Sequence, residues 1–155
     1  MKNRNTHKTG DRVETVIETV AFGAEGVGRT EGLVIFVPYT APGDRVLVRI
    51  TTAKKNYLRG ELLTVIAPSE FRVGPKCRRY GRCGGCHYQH IAYKHQLQMK
   101  KRQVADAFER IGGMQRIGIE DCLPSDAQYG YRGKAEFHGG YERNQKVLGF
   151  MAPRS

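Results

Sequence analysis

The chain has no tryptophan and is short of acidic side chains: 15 Asp and Glu stand against 26 Lys and Arg, for a formal net charge of +11. Such an excess of cations disfavours basic partners and points to a polyanion, with RNA or DNA as the first candidate. Long apolar runs are also missing. None approaches the roughly 20 residues that span a bilayer, so no membrane contact is expected. The first residues are basic but lack the apolar core of a secretory leader. Without a leader, the four cysteines are not expected to pair as disulfides, and a reducing, cytoplasmic setting fits them better. Internal repeats and low-complexity blocks are absent too, and 155 residues suit one domain or two small ones.

What is present is concentrated. Cys77, Cys83 and Cys86 lie within ten residues in the spacing C-x5-C-x2-C, among Gly81, Gly84 and Gly85. A C-x2-C pair sets two thiols on one tight turn, and glycine supplies the positive φ such turns demand. From residue 71 to 108 the first acidic residue is Asp106, while Arg72, Lys76, Arg78, Arg79, Arg82, Lys94, Lys100, Lys101 and Arg102 are basic. Nearby cations lower thiol pKa values and favour thiolate, the form that binds metal. From the residues alone two sites compete. One is a Cys3His zinc site adding His90; the other is an iron–sulfur cluster whose fourth ligand comes from elsewhere.

Along the chain, residues 1–10 carry Lys2, Arg4, His7 and Lys8 and read as a disordered basic tail. Residues 11–68 follow β grammar. Val13, Thr15, Ile17 and Thr19 alternate against Arg12, Glu14, Val16 and Glu18, and Val46, Val48 and Ile50 against Leu47, Arg49 and Thr51. The glycine-rich 22–29 stretch reads as a break, 33–37 as a short strand, 41–44 and 54–56 as turns, and 57–67 as a last strand. The expectation is a small antiparallel barrel. Residues 69–76 read as a linker. Tyr93, Leu97, Val104, Phe108 and Ile111 then recur at helical spacing, so 91–111 is expected as a helix with its apolar face in the core, stopped by Gly112 and Gly113. A strand is expected at 117–123, and a hairpin from 131–138 and 146–151. The fold class is thus mainly β with one helix (α+β): an OB-like barrel followed by a small, incomplete α+β cluster-binding domain over 77–155.

Two resemblances add to this. Glu25-Gly-Val-Gly-Arg, Gly32, Val34-Ile-Phe-Val-Pro and Pro42-Gly-Asp-Arg-Val, in that order, resemble the TRAM domain, an OB-like RNA-binding module. Cys83-Gly-Gly-Cys-His-Tyr-Gln-His with Tyr93, His95-Gln-Leu and Lys100 is similar to the cluster signature of the RNA uracil-5-methyltransferases, particularly those acting on 23S ribosomal RNA. Tyr131-Arg-Gly-Lys-Ala-Glu-Phe resembles a further segment of that family, with Gly133 where Asn is usual, and Gly149-Phe150 with Ser155 resembles the start of the next.

The resemblance implies a four-iron four-sulfur cluster on Cys77, Cys83 and Cys86, with a fourth cysteine beyond this chain. It also implies a SAM-dependent domain, nucleophile and base C-terminal to it. Cys122 does not occupy the fourth ligand's position. Residue by residue, no βαβ unit with a glycine-rich first turn is found, and Gly26 and Gly28 sit between expected strands. The chain is expected to be inactive alone: a monomeric, RNA-binding N-terminal part of a methyltransferase. The alternative is a free-standing zinc- or cluster-containing RNA-binding protein. Lys54, Lys55, Arg59, Arg78, Arg79 and Arg82 are the expected phosphate contacts, and Arg29 is a further candidate. Tyr39, Tyr57 and Tyr80 are the candidate stacking residues.

Overall fold

A computed structural model describes residues 6–153. Its centre is a closed barrel in the order β1-β2-β3-β5-β4, built from β1 (Arg12–Val20), β2 (Glu25–Thr30), β3 (Leu33–Pro38), β4 (Arg45–Ala53) and β5 (Tyr57–Ala67). Alternation drives it. Ile17, Leu33, Ile35, Val37, Val46, Val48, Ile50 and Leu58 turn inward and form one buried cluster, while the charged residues between them face water. A register shift between Ile17 and Thr19 turns Val20, not Thr19, inward at the end of β1.

Two features depart from the expected barrel. The glycine-rich 22–29 stretch is not simply a break, because Glu25–Thr30 is a strand paired to both β1 and β3. Its glycines serve close approach. A Cβ on Gly26 would lie 1.9 Å from Thr40 Oγ1 and 3.0 Å from the Val37 carbonyl oxygen, and one on Gly28 would lie 2.7 Å from Thr15 Oγ1. The barrel is also not wholly antiparallel: β3 and β5 run parallel through Val34–Tyr57, Ile35–Leu58 and Phe36–Arg59, which closes the ring.

Residues 1–5 of the expected tail lie outside the described residues. The part that is described is fastened to the barrel. The Gly10 amide donates to the Ile50 carbonyl at 2.8 Å, and Thr6 Oγ1 donates to Glu31 at 2.9 Å. The 69–76 segment is likewise anchored, since Val73 donates to the His90 carbonyl (3.0 Å) and Ala92 to the Phe71 carbonyl (2.8 Å).

The helix α1 spans Tyr93–Arg110. The helix and the turn before it dock on the barrel: Met99 of α1 and Ile91 just before it join Val20 and Ala41 in a second buried cluster, and Gln103 Nε2 donates to the Val20 carbonyl at 3.1 Å. The expected apolar face is only half covered, because Val104, Phe108 and Ile111 are exposed. Residues 117–123 form no strand. Their backbone is offered no partner, and an unpaired extended segment gains no ladder hydrogen bonds. The C-terminal hairpin is displaced from the expected one: β6 is His138–Glu142, which shares only His138 with the expected 131–138 strand and runs into the expected loop, and β7 is Gln145–Gly149. Its two-residue turn is Arg143-Asn144, both at positive φ (49° and 65°), so Gly139 and Gly140 belong to the strand. No helix among the described residues is long and apolar enough to cross a membrane.

Candidate nucleic-acid interface and cysteine loop

The cysteine loop is held to the barrel through one buried carboxylate. The turn before β4 places Asp44 fully out of water. Its carboxylate accepts the Ala41 amide (2.6 Å), the Ser69 amide (2.9 Å), and Arg72 through Nε (3.0 and 3.1 Å) and Nη2 (2.5 Å). Burial pushes this carboxyl up. The Arg72 hydrogen bonds, the two amides and the Arg72 charge outweigh burial, so its pKa lies below the usual carboxylate value. Arg72 Nη2 also donates to the Tyr39 carbonyl at 2.9 Å, so one guanidinium joins the β3–β4 connection to the segment leading into the cysteines.

His90 completes the junction from the other side. Its ring is 1% exposed, and Nδ1 lies 2.5 Å from the Tyr80 hydroxyl, which also donates to the His87 carbonyl at 2.8 Å. Burial holds the imidazole pKa down, against the pull of the Thr40 carbonyl, and Arg72 adds to the lowering. Burial likewise pushes the Tyr80 phenol far above its usual value. Tyr80 packs edge-on against Tyr39 at 5.6 Å. Two of the three candidate stacking tyrosines are therefore committed to each other, and Tyr57 lies edge-on to Phe36 at 6.0 Å.

The three cysteines line the outer side of this junction as free thiols, Cys77 and Cys86 exposed and Cys83 partly so. Amides two residues on point at two of the sulfurs, Arg79 to Cys77 Sγ and Gly85 to Cys83 Sγ, each at 3.4 Å. Of the loop glycines, Gly81 takes positive φ (81°), as the tight turn requires. Gly84 is small for another reason: its amide bonds the Met151 carbonyl, and a Cβ would sit 2.9 Å from that oxygen. Among the described residues no three His, Cys, Asp or Glu side chains stand close enough to hold a metal ion. As arranged, the donor set is three thiols without a fourth, and it does not enclose a tetrahedral ion or a cluster. His90 is turned into the junction and Cys122 lies in irregular chain beyond α1, so neither completes it.

The expected phosphate contacts fall into three groups. Arg78, Arg79 and Arg82 sit exposed on the cysteine loop, and Lys54 and Lys55 are exposed at the turn between β4 and β5. Arg59 is engaged within the barrel: Nη1 pairs with Glu25 at 2.5 Å, and the guanidinium lies over the Phe36 ring at 5.6 Å. Arg29 is 3.5 Å from Glu18.

Between the barrel and the cysteine loop runs a groove of about 1070 Å³, reaching from the β1–β2 turn to the C-terminal hairpin. Phe22, Tyr39, Arg59, Arg132, His138 and Phe150 are among its lining residues. In the sequence, Phe22 is only part of a glycine-rich interruption and Arg132 only part of a family segment. The signal available for Phe22 was an aromatic residue directly before a glycine turn.

The TRAM domain profile matches residues 7–63, the barrel with its entry segment. The chain is 44% identical over 128 residues to an uncharacterized RNA methyltransferase of Synechocystis, covering 83% of this chain and 28% of that protein. It is 38% identical over 153 residues to an uncharacterized RNA methyltransferase of Caldanaerobacter subterraneus, covering 96% and 32%. It is also 31% identical to the Pyrococcus abyssi tRNA (uracil-54, C5)-methyltransferase seen in complex with S-adenosyl-L-homocysteine, over 65% of this chain and 21% of that one, with a TM-score of 0.41. The chain thus spans about a third or less of the curated relatives it matches.

Proposed function

As a TRAM-domain chain of the RNA methyltransferase family, this protein, we propose, is the RNA-gripping part of a SAM-dependent uracil-5-methyltransferase that modifies 23S ribosomal RNA. The observation that carries this reading is the coincidence of the TRAM match with a closed, five-stranded barrel in a chain of net charge +11. Uracil C5 as the target and ribosomal RNA as the substrate rest on the likeness of the Cys83–His90 signature to that enzyme class.

Methylation at C5 requires a nucleophile at C6, because C5 alone attacks a sulfonium methyl too weakly, and a base to take the C5 proton afterwards. Among the described residues, Cys122 is a free thiol with no hydrogen bond to a base, and the buried His90 is engaged with Tyr80. Those steps belong to another part of the enzyme. The work of this chain is to hold RNA so that a uridine reaches that centre, as a monomer in the cytoplasm. Arg78, Arg79 and Arg82 on the cysteine loop, with Lys54 and Lys55 on the barrel, supply phosphate contacts. Arg59 contributes its charge from within its pair with Glu25.

Cys77, Cys83 and Cys86 are proposed as three ligands of a four-iron four-sulfur cluster, with the fourth supplied from outside the described donors. The loop must then draw its thiols together, which its exposure and glycine content permit. Zinc on the same thiols is the competing occupant. When bound, the group fixes the loop's shape and position on the barrel.

The test is RNA binding across a salt series. If five to eight phosphates are neutralised, log K falls with log salt at a slope of about −3.5 to −5.6 for single strands. The chain incubated with RNA and SAM transfers no methyl group. Absence of RNA binding at low salt removes the reading.

A further inference from the structure

The turn between β1 and β2 lifts one aromatic ring into water. Phe22 is 92% exposed, although its neighbours Val20 and Ala24 are buried. The turn is not loose. Ala21 and Glu25 are joined by the Ala21 amide and the Glu25 carbonyl at 2.8 Å, and the Ala24 amide returns to the Ala21 carbonyl at 3.1 Å. Gly23 takes φ +94°, and Ala24 sits at φ 70°, a region that costs an alanine energy. A fully exposed phenylalanine on a backbone held in a disfavoured conformation adds nothing to folding stability, which directs attention to what the ring contacts when the protein is at work.

Phe22 stands at one end of the groove of about 1070 Å³ between the barrel and the cysteine loop. The acidic residues that line the groove are neutralised: Glu25 faces Arg59 at 2.5 Å and Glu61 faces Arg49 at 2.5 Å. His138, Arg132, Tyr39 and Phe150 also line it. The groove's size lies just above the range for a small-ligand cleft, about 300–1000 Å³, so it takes a few nucleotides and not a folded partner. An aromatic ring exposed to solvent in a groove that Arg132 also lines matches the way single strands are bound, where each unpaired base offers a π-face to stack. Bases inside an A-form duplex offer none.

We propose that this groove binds unpaired RNA nucleotides, with Phe22 as the platform on which one base stacks. The proposal deepens the RNA-binding function above and rests on it. It assigns recognition to single-stranded over duplex RNA, and to a residue outside the basic contacts already named.

The absence of tryptophan from the chain makes the test direct, because F22W introduces the single indole of the protein at the proposed contact. The probe is a fluorescein-labelled oligouridylate of about ten nucleotides, a length within the usual site size, followed by anisotropy; a duplex of equal length is the comparator. Wild type and F22W are expected to bind the single strand more tightly than the duplex. Indole fluorescence of F22W is expected to be quenched over the same titration. F22A is expected to weaken single-strand binding about 5- to 150-fold, the measured range for one stacked base, with an unchanged circular-dichroism melt. If wild type gives no anisotropy change at low salt, the RNA-binding function itself fails. If RNA binds while the indole signal stays constant, F22A retains affinity within about twofold, or the duplex binds as tightly, the groove proposal is overturned and the RNA-binding function stands.

Discussion

Arg72 closes on Asp44 with three nitrogen–oxygen contacts of 2.5, 3.0 and 3.1 Å, and the carboxylate it meets has no exposure to water at all. This pair connects the two parts of the molecule, since Asp44 belongs to the turn that opens β4 while Arg72 opens the path to the cysteines. Breaking a buried pair from one side strands a charge, at a cost of about 3–5 kcal/mol. R72A is therefore expected to destabilise by that order in urea unfolding. D44N with R72M, which removes both charges, is expected to recover part of the loss. A single mutant indistinguishable from wild type would mean that the junction carries no stability.

Gly26 gives a second expectation, argued from space. The β2 strand passes so close to Thr40 and Val37 that an added Cβ has nowhere to go, and Thr40 is itself pinned by its hydrogen bond to the Val37 carbonyl at 2.9 Å. G26A is expected to cost about 1–3 kcal/mol, the usual range for overpacking. G139A, in open space on β6, is expected to change stability little. Thermal melts of the two variants side by side would decide this, and equal melting points would remove the close-approach explanation.

These glycines also mark where reading the sequence stops. Alternation at Val13, Thr15 and Ile17 and at Val46, Val48 and Ile50 is a local signal, and the structure follows it at those positions. A glycine that permits a turn and a glycine that lets two strands touch look alike in one dimension; only the partner across the ladder separates them, so β2 reads as an interruption. The parallel β3–β5 pairing is non-local in the same way. At the site, the cysteine spacing was legible because the ligand candidates are neighbours in sequence. The role of His90 was not, because its burial depends on Tyr80 and on the barrel turn at Thr40 meeting in three dimensions. Arg59 looked like a free cation until Glu25, distant along the chain, arrived beside it.

Acidification is expected to weaken the same junction in two stages. The unfolded imidazole of His90 takes up a proton below about pH 6.5, while the folded one, its pKa lowered by burial, resists. The unfolded state then binds more protons, and stability falls as pH drops from there. The folded Asp44 pKa lies below 3.8, so its contribution is complete above that value and is lost as pH falls through the lower folded one. Both signs agree. Melting temperature against pH should decline from near neutrality downward, with H90Q showing a flatter profile in the upper stage. An H90Q profile as steep as wild type there would contradict the assignment.

The last expectation concerns what the cysteine loop holds. Amide hydrogen atoms point at two of the three sulfurs, but no three donors among the described residues stand close enough to hold a metal ion, and the loop carries only three thiols. A cluster assembled on them should therefore be exposed at one iron and sensitive to oxygen. Protein prepared without air and supplied with iron and sulfide is expected to bind both, and to lose them on exposure to air. C77S, C83S and C86S are expected to abolish this binding. C122S is expected to leave it intact, because Cys122 lies in irregular chain beyond α1 and outside the loop. Metal and acid-labile sulfide analysis separates the outcomes. Iron with sulfide supports the cluster; zinc without sulfide, lost in the same three variants, assigns the loop to zinc instead. Loss of binding in C122S would bring that cysteine in as the fourth ligand and require the chain beyond α1 to fold back onto the loop.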